Sequence, residues 1–129
     1  IQSLVNKMRN FSDYFSQIFF HVILITETWF NSSILSEYFI QKDYQLFRND
    51  RMGKRGGGVA IYVHNTLVAK ILSLSLSILD QPEYILMDIR LDSAIHALLS
   101  VIYCPPNSSN LDKFEEAIQL FGHAYSDII

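Results

Sequence analysis

The chain has 129 residues, half of them hydrophobic and 13% aromatic, with a formal net charge of −3. This composition excludes a disordered segment and suits one folded domain with a real core. The overall charge excludes general attraction to polyanions, so a nucleic-acid role would need a local basic patch. No apolar run is long enough for a membrane span, and a single cysteine, Cys104, cannot form an internal disulfide. With no secretory leader visible, we expect a nuclear or cytoplasmic protein rather than a secreted one.

The first third of the chain predicts a helix followed by a strand. Residues 3–17 carry apolar side chains at spacings of three and four, which indicates an amphipathic helix with Ser3 as its N-cap. The apolar run 19–26 indicates a buried strand that ends at Thr26-Glu27-Thr28. Residues 34–40 favour a short helix, and residues 44–48 alternate as a strand does.

The middle of the chain predicts a loop, two strands and a turn. Residues 49–58 are polar and rich in glycine, which indicates a loop, and 59–63 form a compact apolar strand. Residues 67–79 alternate leucine or isoleucine with serine, so we expect a strand whose face of Leu72, Leu74, Leu76 and Ile78 is buried. Residues 80–83 are predicted to be a turn around Pro82.

The last third predicts two strands and a helix. Residues 84–91 and 95–103 have strand patterns, and two prolines end the second because neither can donate to a ladder. Asn110 is a candidate cap for a helix over 111–128. Short connections between successive strands favour mainly antiparallel pairing, so the predicted class is α/β or α+β in one domain, residues 1–129.

Three features are candidates for chemistry, and each has an alternative interpretation. Glu27 stands where a buried strand ends, and a carboxylate there either pairs with a cation such as Mg²⁺ or simply reaches water. Tyr103 also ends a strand, and its phenol either donates to a phosphate oxygen or is a half-buried aromatic with a wet hydroxyl. The loop 48–58, with basic residues Arg48 and Arg55, either approaches phosphates through its glycines or is a solvated hairpin connection.

Four sequence blocks that contain these candidates occur together. They are ITETW at 25–29, YQLFRNDR at 44–51, RGGGVAIYV at 55–63 and VIYCPPN at 101–107. In this order and spacing they resemble the endonuclease/exonuclease/phosphatase superfamily, and most closely the apurinic-type endonuclease domain of non-LTR retrotransposons.

The resemblance implies a four-layered α/β/β/α sandwich and a metal-dependent hydrolysis of DNA that nicks a target site for retrotransposition. It implies that Glu27 binds Mg²⁺ or Mn²⁺ and that Tyr103 contacts the scissile phosphate. Asn107 lies beside a family position that touches the substrate, and we add Arg48 and Arg55 as candidate substrate contacts. DNA is the implied partner, together with a reverse transcriptase domain in the parent polyprotein.

The sequence also departs from the family. The family's first metal-site asparagine would precede Ile1, and its Gly-Asp-Phe-Asn block, later aspartate and terminal histidine have no counterpart here. We therefore expect a truncated domain, its N-terminal and middle part, that is inactive alone. The alternatives are a catalytically inactive remnant of a mobile element and an unrelated small β-rich binding module.

Overall fold

The computed structural model describes residues 4–76, 80–108, 110–125 and 127–129, and in these residues two β-sheets pack with two α-helices. This confirms the predicted mixed class of helices and mainly antiparallel strands. The regular elements, in chain order, are a 3₁₀ turn Leu4–Lys7, α1 Met8–Gln17, β1 Val22–Thr26, a 3₁₀ turn Ser36–Phe39, β2 Tyr44–Asn49, β3 Val59–His64, β4 Val68–Leu74, β5 Glu83–Arg90, β6 His96–Tyr103, α2 Asp112–Gly122 and β7 Asp127–Ile128.

The strands form two sheets that are mainly antiparallel. The first sheet has the order β1-β3-β2 and is antiparallel throughout. The second has the order β4-β5-β6-β7, in which only the short β7 runs parallel to its neighbour β6. The β5–β6 pair is antiparallel because the short turn 91–95 can reverse a strand but cannot make a parallel crossover.

The core forms three apolar clusters because β3 and β5 are covered on both faces. One cluster fills the space between the sheets, where alternate residues of β3 such as Ile61 meet those of β5 such as Ile85. A second joins the opposite face of β3, including Tyr62, to Leu4 and Phe11 of the N-terminal helical segment. The third lies under α2, where Ala117 contacts the β5–β6 surface. Burial on both faces explains why β3 is continuously apolar rather than alternating.

The N-terminal elements begin later than the sequence indicated. The predicted cap, Ser3, lies outside the described residues, and the helix starts as a 3₁₀ turn before α1. The strand predicted from residue 19 begins only at Val22, so that prediction was wrong for its first three residues. The His64 amide donates to the His21 carbonyl at 2.8 Å, and β3 ends there, so no further partner extends the ladder. Phe19 is instead 58% exposed and packs edge-on against His64.

The predicted buried leucine face of residues 67–79 was wrong for Leu74 and Leu76, whereas Leu72 is partly buried and packs against the cluster under α2. Leu74 is 42% exposed and Leu76 is 76% exposed, while Ile78 lies outside the described residues. The pairing of β4 with β5 shifts register between Ile71 and Ser73, so the alternation changes face part-way along the strand. Because β4 is an edge strand, the outward leucines meet solvent.

The inward position after this shift is taken by a serine. Ser75 Oγ accepts hydrogen bonds from the Tyr84 amide at 2.9 Å and from Asn49 Nδ2 at 2.9 Å. Asn49 also donates to the Tyr84 carbonyl at 3.0 Å. Since Asn49 ends β2 and Tyr84 is in β5, these bonds tie the two sheets together at one end.

Two further boundaries differ from the predictions. Glu83, assigned from the sequence to a turn, is the first residue of β5 and is 7% exposed. The helix predicted to reach residue 128 ends at Gly122, because the chain turns back and Asp127–Ile128 pairs with β6. The predicted cap was wrong by one residue, because α2 begins at Asp112 with Leu111 at the N-cap position, and Asn110, one residue earlier, accepts from the Asp112 amide through its Oδ1 at 2.9 Å. In the described part of the chain, no helix has the length and apolar character needed to span a membrane.

Candidate active site

The two leading candidates, Glu27 and Tyr103, come together at one end of the facing sheets. Glu27 directly follows β1, whose last residue, Thr26, pairs with the first residue of β3. Tyr103 ends β6 and pairs with Glu83, the first residue of β5. The phenol of Tyr103 lies close enough to the Glu27 carboxylate to change the pKa of both groups.

The chain around Glu27 folds back on itself so that its carboxylate meets neighbouring donors. Glu27 and Trp29 have positive φ values of 58° and 61°, an uncommon conformation for residues other than glycine. The Trp29 indole nitrogen Nε1 then donates to Glu27 Oε2 at 2.7 Å. The Gly57 amide donates to the same oxygen at 3.2 Å. Backbone strain of this kind clusters at functional sites, and here it orients one carboxylate.

The backbone beside Glu27 is held by the glycine loop. The Trp29 amide donates to the Gly57 carbonyl at 2.9 Å, and the Thr28 amide donates to the Gly58 carbonyl at 3.3 Å. Thr28 is fully buried, and its Oγ1 accepts from the Phe30 amide at 3.3 Å. The loop therefore continues the β1–β3 pairing beyond the strands.

The charge states of the two candidates follow from these contacts. Burial raises the pKa of Glu27, but the polar contacts with Tyr103, Trp29 and Gly57 and the positive charge of Arg51 together outweigh it, so the pKa is lowered. The contact with Glu27, followed by burial, raises the pKa of Tyr103. At neutral pH the site therefore holds an ionised carboxylate beside a protonated phenol that can donate.

A second carboxylate, Glu83, was not anticipated as part of the site. Its Oε1 accepts from Arg51 Nε at 2.6 Å, and its Oε2 accepts from Arg51 Nη2 at 3.3 Å and from the Gly58 amide at 3.0 Å. The Arg51 guanidinium also lies 5.6 Å from the centre of the Tyr103 ring. The sequence contains one signal for Glu83, since this residue directly precedes the apolar run of β5. A carboxylate that is buried at the start of a strand requires a cation or hydrogen-bond donors beside it.

Glycine is required at the two loop positions that face these carboxylates. Gly57 and Gly58 have φ values of +70° and +82°. An added Cβ at Gly57 would lie 2.3 Å from Arg51 Cζ, and one at Gly58 would lie 2.5 Å from Thr28 Oγ1. The absence of side chains is what lets consecutive amides approach Glu27 and Glu83.

Arg48 is engaged by the protein itself. Its Nε and Nη2 donate to the Asp50 carboxylate at 3.0 and 2.6 Å, and its Nη1 donates to the Ile34 carbonyl at 2.7 Å. Nη2 also donates to the Asn31 carbonyl at 3.1 Å, and the guanidinium lies 4.5 Å from the Phe30 ring centre. This network secures the segment between β1 and β2 and occupies the Arg48 guanidinium with acceptors of the protein itself.

Arg55 and Asn107 are exposed on the surface around the site. The guanidinium of Arg55 lies 5.1 Å from the centre of the Trp29 ring, so it stacks on a residue that itself contacts Glu27. Asn107 lies in the turn that follows Tyr103 and the two prolines. Arg55 thus reaches the site through Trp29, whereas Asn107 follows Tyr103 by four positions in the sequence.

The residues present fit a hard cation held by few protein ligands. Glu27 offers an ionised carboxylate whose Oε2 is already bonded to two donors. Mg²⁺ commonly binds one or two carboxylates and completes its shell with water and substrate phosphate. Among the described residues, no group of three His, Cys, Asp or Glu side chains is placed to hold a metal ion. A cation here would therefore depend on Glu27 with water and phosphate oxygens.

Three comparisons with known proteins add no relative. No protein-family model, no curated protein and no solved structure matches the chain.

Proposed function

We propose that this chain is part of a metal-dependent DNA endonuclease domain of the endonuclease/exonuclease/phosphatase type. The observation that carries the proposal is the meeting of Glu27 and Tyr103, which are far apart in sequence, at one end of two facing sheets. The three apolar clusters, with helical segments outside and two sheets inside, support a four-layered α/β/β/α sandwich. The parent activity would be hydrolysis of a DNA phosphodiester for retrotransposition, beside a reverse transcriptase.

We assign a separate role to each residue of this candidate site. Glu27 would hold Mg²⁺ or Mn²⁺, since its carboxylate is ionised and its Oε2 is anchored by Trp29 and Gly57. The protonated phenol of Tyr103 would donate to a phosphate oxygen and so orient the substrate. When bound, the metal would supply Lewis-acid stabilisation of charge on the phosphate. Arg55 and Asn107, both exposed, would contact the DNA backbone around the site.

The test uses the single tryptophan of the chain, Trp29, which contacts Glu27 directly. Paramagnetic Mn²⁺ bound at Glu27 should quench Trp29 fluorescence saturably. A short single-stranded oligonucleotide should tighten the apparent Mn²⁺ affinity, because phosphate oxygens complete the metal shell. In Glu27→Gln the saturable quenching should disappear, and in Tyr103→Phe the effect of the oligonucleotide should shrink while binding of Mn²⁺ alone remains.

Two outcomes would overturn the proposal. One is Mn²⁺ quenching that is equal in the wild type and in Glu27→Gln, which would indicate unspecific collisions. The other is oligonucleotide binding that ignores both substitutions, which would favour the binding-module alternative. Circular dichroism of each variant controls for loss of the fold.

A further inference from the structure

Within the site, the Arg51 side chain forms an ion pair with the carboxylate of Glu83. Its Nε is 2.6 Å from Glu83 Oε1, and both side chains are largely buried. The Arg51 guanidinium also packs against Gly57, whose amide donates to Glu27 Oε2 at 3.2 Å, so it lies close to that carboxylate as well. In the part of the chain that the structure describes, the recorded ion pairs join Arg51 to Glu83 and none joins a cation to Glu27.

The hydrogen bonds explain why Arg51 keeps to Glu83. Glu83 accepts from two guanidinium nitrogens and from the Gly58 amide, so its carboxylate is fixed in place by three donors. Glu27 is contacted instead by neutral donors, the Trp29 indole, the Gly57 amide and the Tyr103 phenol. The two carboxylates thus have different partners: one is neutralised by a cation and the other keeps its negative charge.

We infer that Glu83 is a positioning residue that holds Arg51 away from Glu27 and so keeps Glu27 available to a divalent cation. The inference rests on the proposed function, because it concerns the same metal-binding carboxylate. Without the charge of Glu83, Arg51 would be a largely buried cation without a counter-ion, which is strongly unfavourable. The Arg51 guanidinium would then shift toward Glu27, the other carboxylate nearby. There it would bind the carboxylate oxygen that a metal ion would otherwise coordinate.

The test compares Mn²⁺ affinity in three proteins, using the Trp29 quenching assay and electron paramagnetic resonance of free Mn²⁺. Glu83→Gln should bind Mn²⁺ about tenfold or more weakly, as expected when a partner that orients a metal ligand is lost. The double variant Arg51→Gln/Glu83→Gln should recover affinity, because the competing cation is gone and two amides can still bond to each other. If Glu83 only stabilised the fold, removing Arg51 as well would not restore the Mn²⁺ affinity.

A matched control is the other half-buried arginine–carboxylate pair. Arg48 and Asp50 are joined at 2.6 Å, as Arg51 and Glu83 are, but Arg48 also donates to the Ile34 carbonyl in the segment between β1 and β2. Asp50→Asn should leave Mn²⁺ affinity unchanged. An equal loss in Asp50→Asn and Glu83→Gln would overturn the inference, because it would indicate general loosening of the fold.

A metal-free measurement separates this inference from the proposed function. If Arg51 moves to Glu27, it competes with the Trp29 indole for the carboxylate, so Trp29 emission should shift in Glu83→Gln and return in the double variant. If the wild type binds no Mn²⁺, the proposed function fails, and this emission comparison alone decides the inference. Emission that is unchanged in Glu83→Gln, or an affinity loss that the folded double variant does not repair, overturns it. Should Glu83→Gln fail to fold, Glu83→Asp replaces it, with a partial weakening expected because the shorter carboxylate withdraws from Arg51.

Discussion

Replacing Gly58 by alanine tests the geometry of the loop, and Gly53→Ala supplies its control. Both glycines have similar positive φ values, +82° and +76°. An added Cβ at Gly58 would lie 2.5 Å from Thr28 Oγ1, whereas one at Gly53 meets no described atom within 4 Å. The conformational cost, about 1–2 kcal/mol for a positive φ, and the gain from a stiffer unfolded chain, about 0.4–1 kcal/mol, should be similar in the two variants. The difference between them therefore measures the steric clash.

The size of that difference follows from what Thr28 does. Thr28 is fully buried and accepts from the Phe30 amide, so it has little room to move. Overpacking a buried site costs about 1–3 kcal/mol. We expect Gly58→Ala to lower the free energy of unfolding by that much more than Gly53→Ala, measured by urea denaturation with equal slopes. A difference below about 0.5 kcal/mol would refute the packing of this loop against Thr28.

Three further outcomes are expected. The 129 residues alone should show no Mg²⁺-dependent nicking of supercoiled plasmid above a Glu27→Ala control, because no group of three His, Cys, Asp or Glu side chains in the described residues is placed to hold a metal ion. Clear nicking that this substitution abolishes would contradict the prediction. Burial raises the pKa of Tyr62 above its ordinary 10.0, so its neutral form stabilises the fold below that pH and this contribution is lost at higher pH. Urea midpoints should therefore fall more steeply with alkaline pH in the wild type than in Tyr62→Phe. Leu76→Ser should change the free energy of unfolding by less than about 0.5 kcal/mol, whereas Leu86→Ala should lower it by about 2–5 kcal/mol; equal losses would show that Leu76 is packed.

Strands that are buried on both faces, or that end at a clear sequence signal, could be predicted from the sequence. The run Val59–His64 is apolar because both faces of β3 are covered, and its shortness, its β-branched residues and the glycines before it favour a strand over a buried helix. The strand His96–Tyr103 was equally clear because two prolines end it. The face of β4 could not be predicted, since a register shift between Ile71 and Ser73 leaves no mark on the alternation of leucine and serine. The alternation of apolar and polar residues indicates that a strand has two different faces. Which face is buried depends on how the strand pairs in the tertiary structure.

In the candidate site, too, some residues could be predicted from the sequence and others could not. Glu27 and Tyr103 could be proposed because each ends a buried strand at a polar boundary, and the structure brings them together. Glu83 could not, because its partner Arg51 is distant in sequence and belongs to a loop that looks solvated. A charged residue next to a proline is usually on the surface, and only the ion pair explains its burial.

The glycine loop links the two sheets through the carboxylates. Consecutive amides, those of Gly57 and Gly58, donate to different glutamates, and these glutamates belong to different sheets: Glu27 follows β1 and Glu83 begins β5. The distance between the carboxylates therefore depends on how the sheets pack, and any shift between the sheets must move one amide away from its acceptor. Because a buried acceptor that loses its donor costs about 1–3 kcal/mol, the loop resists such a shift. The geometry that would present Glu27 to a cation is in this way maintained by contacts on both sides of the core rather than by β1 alone.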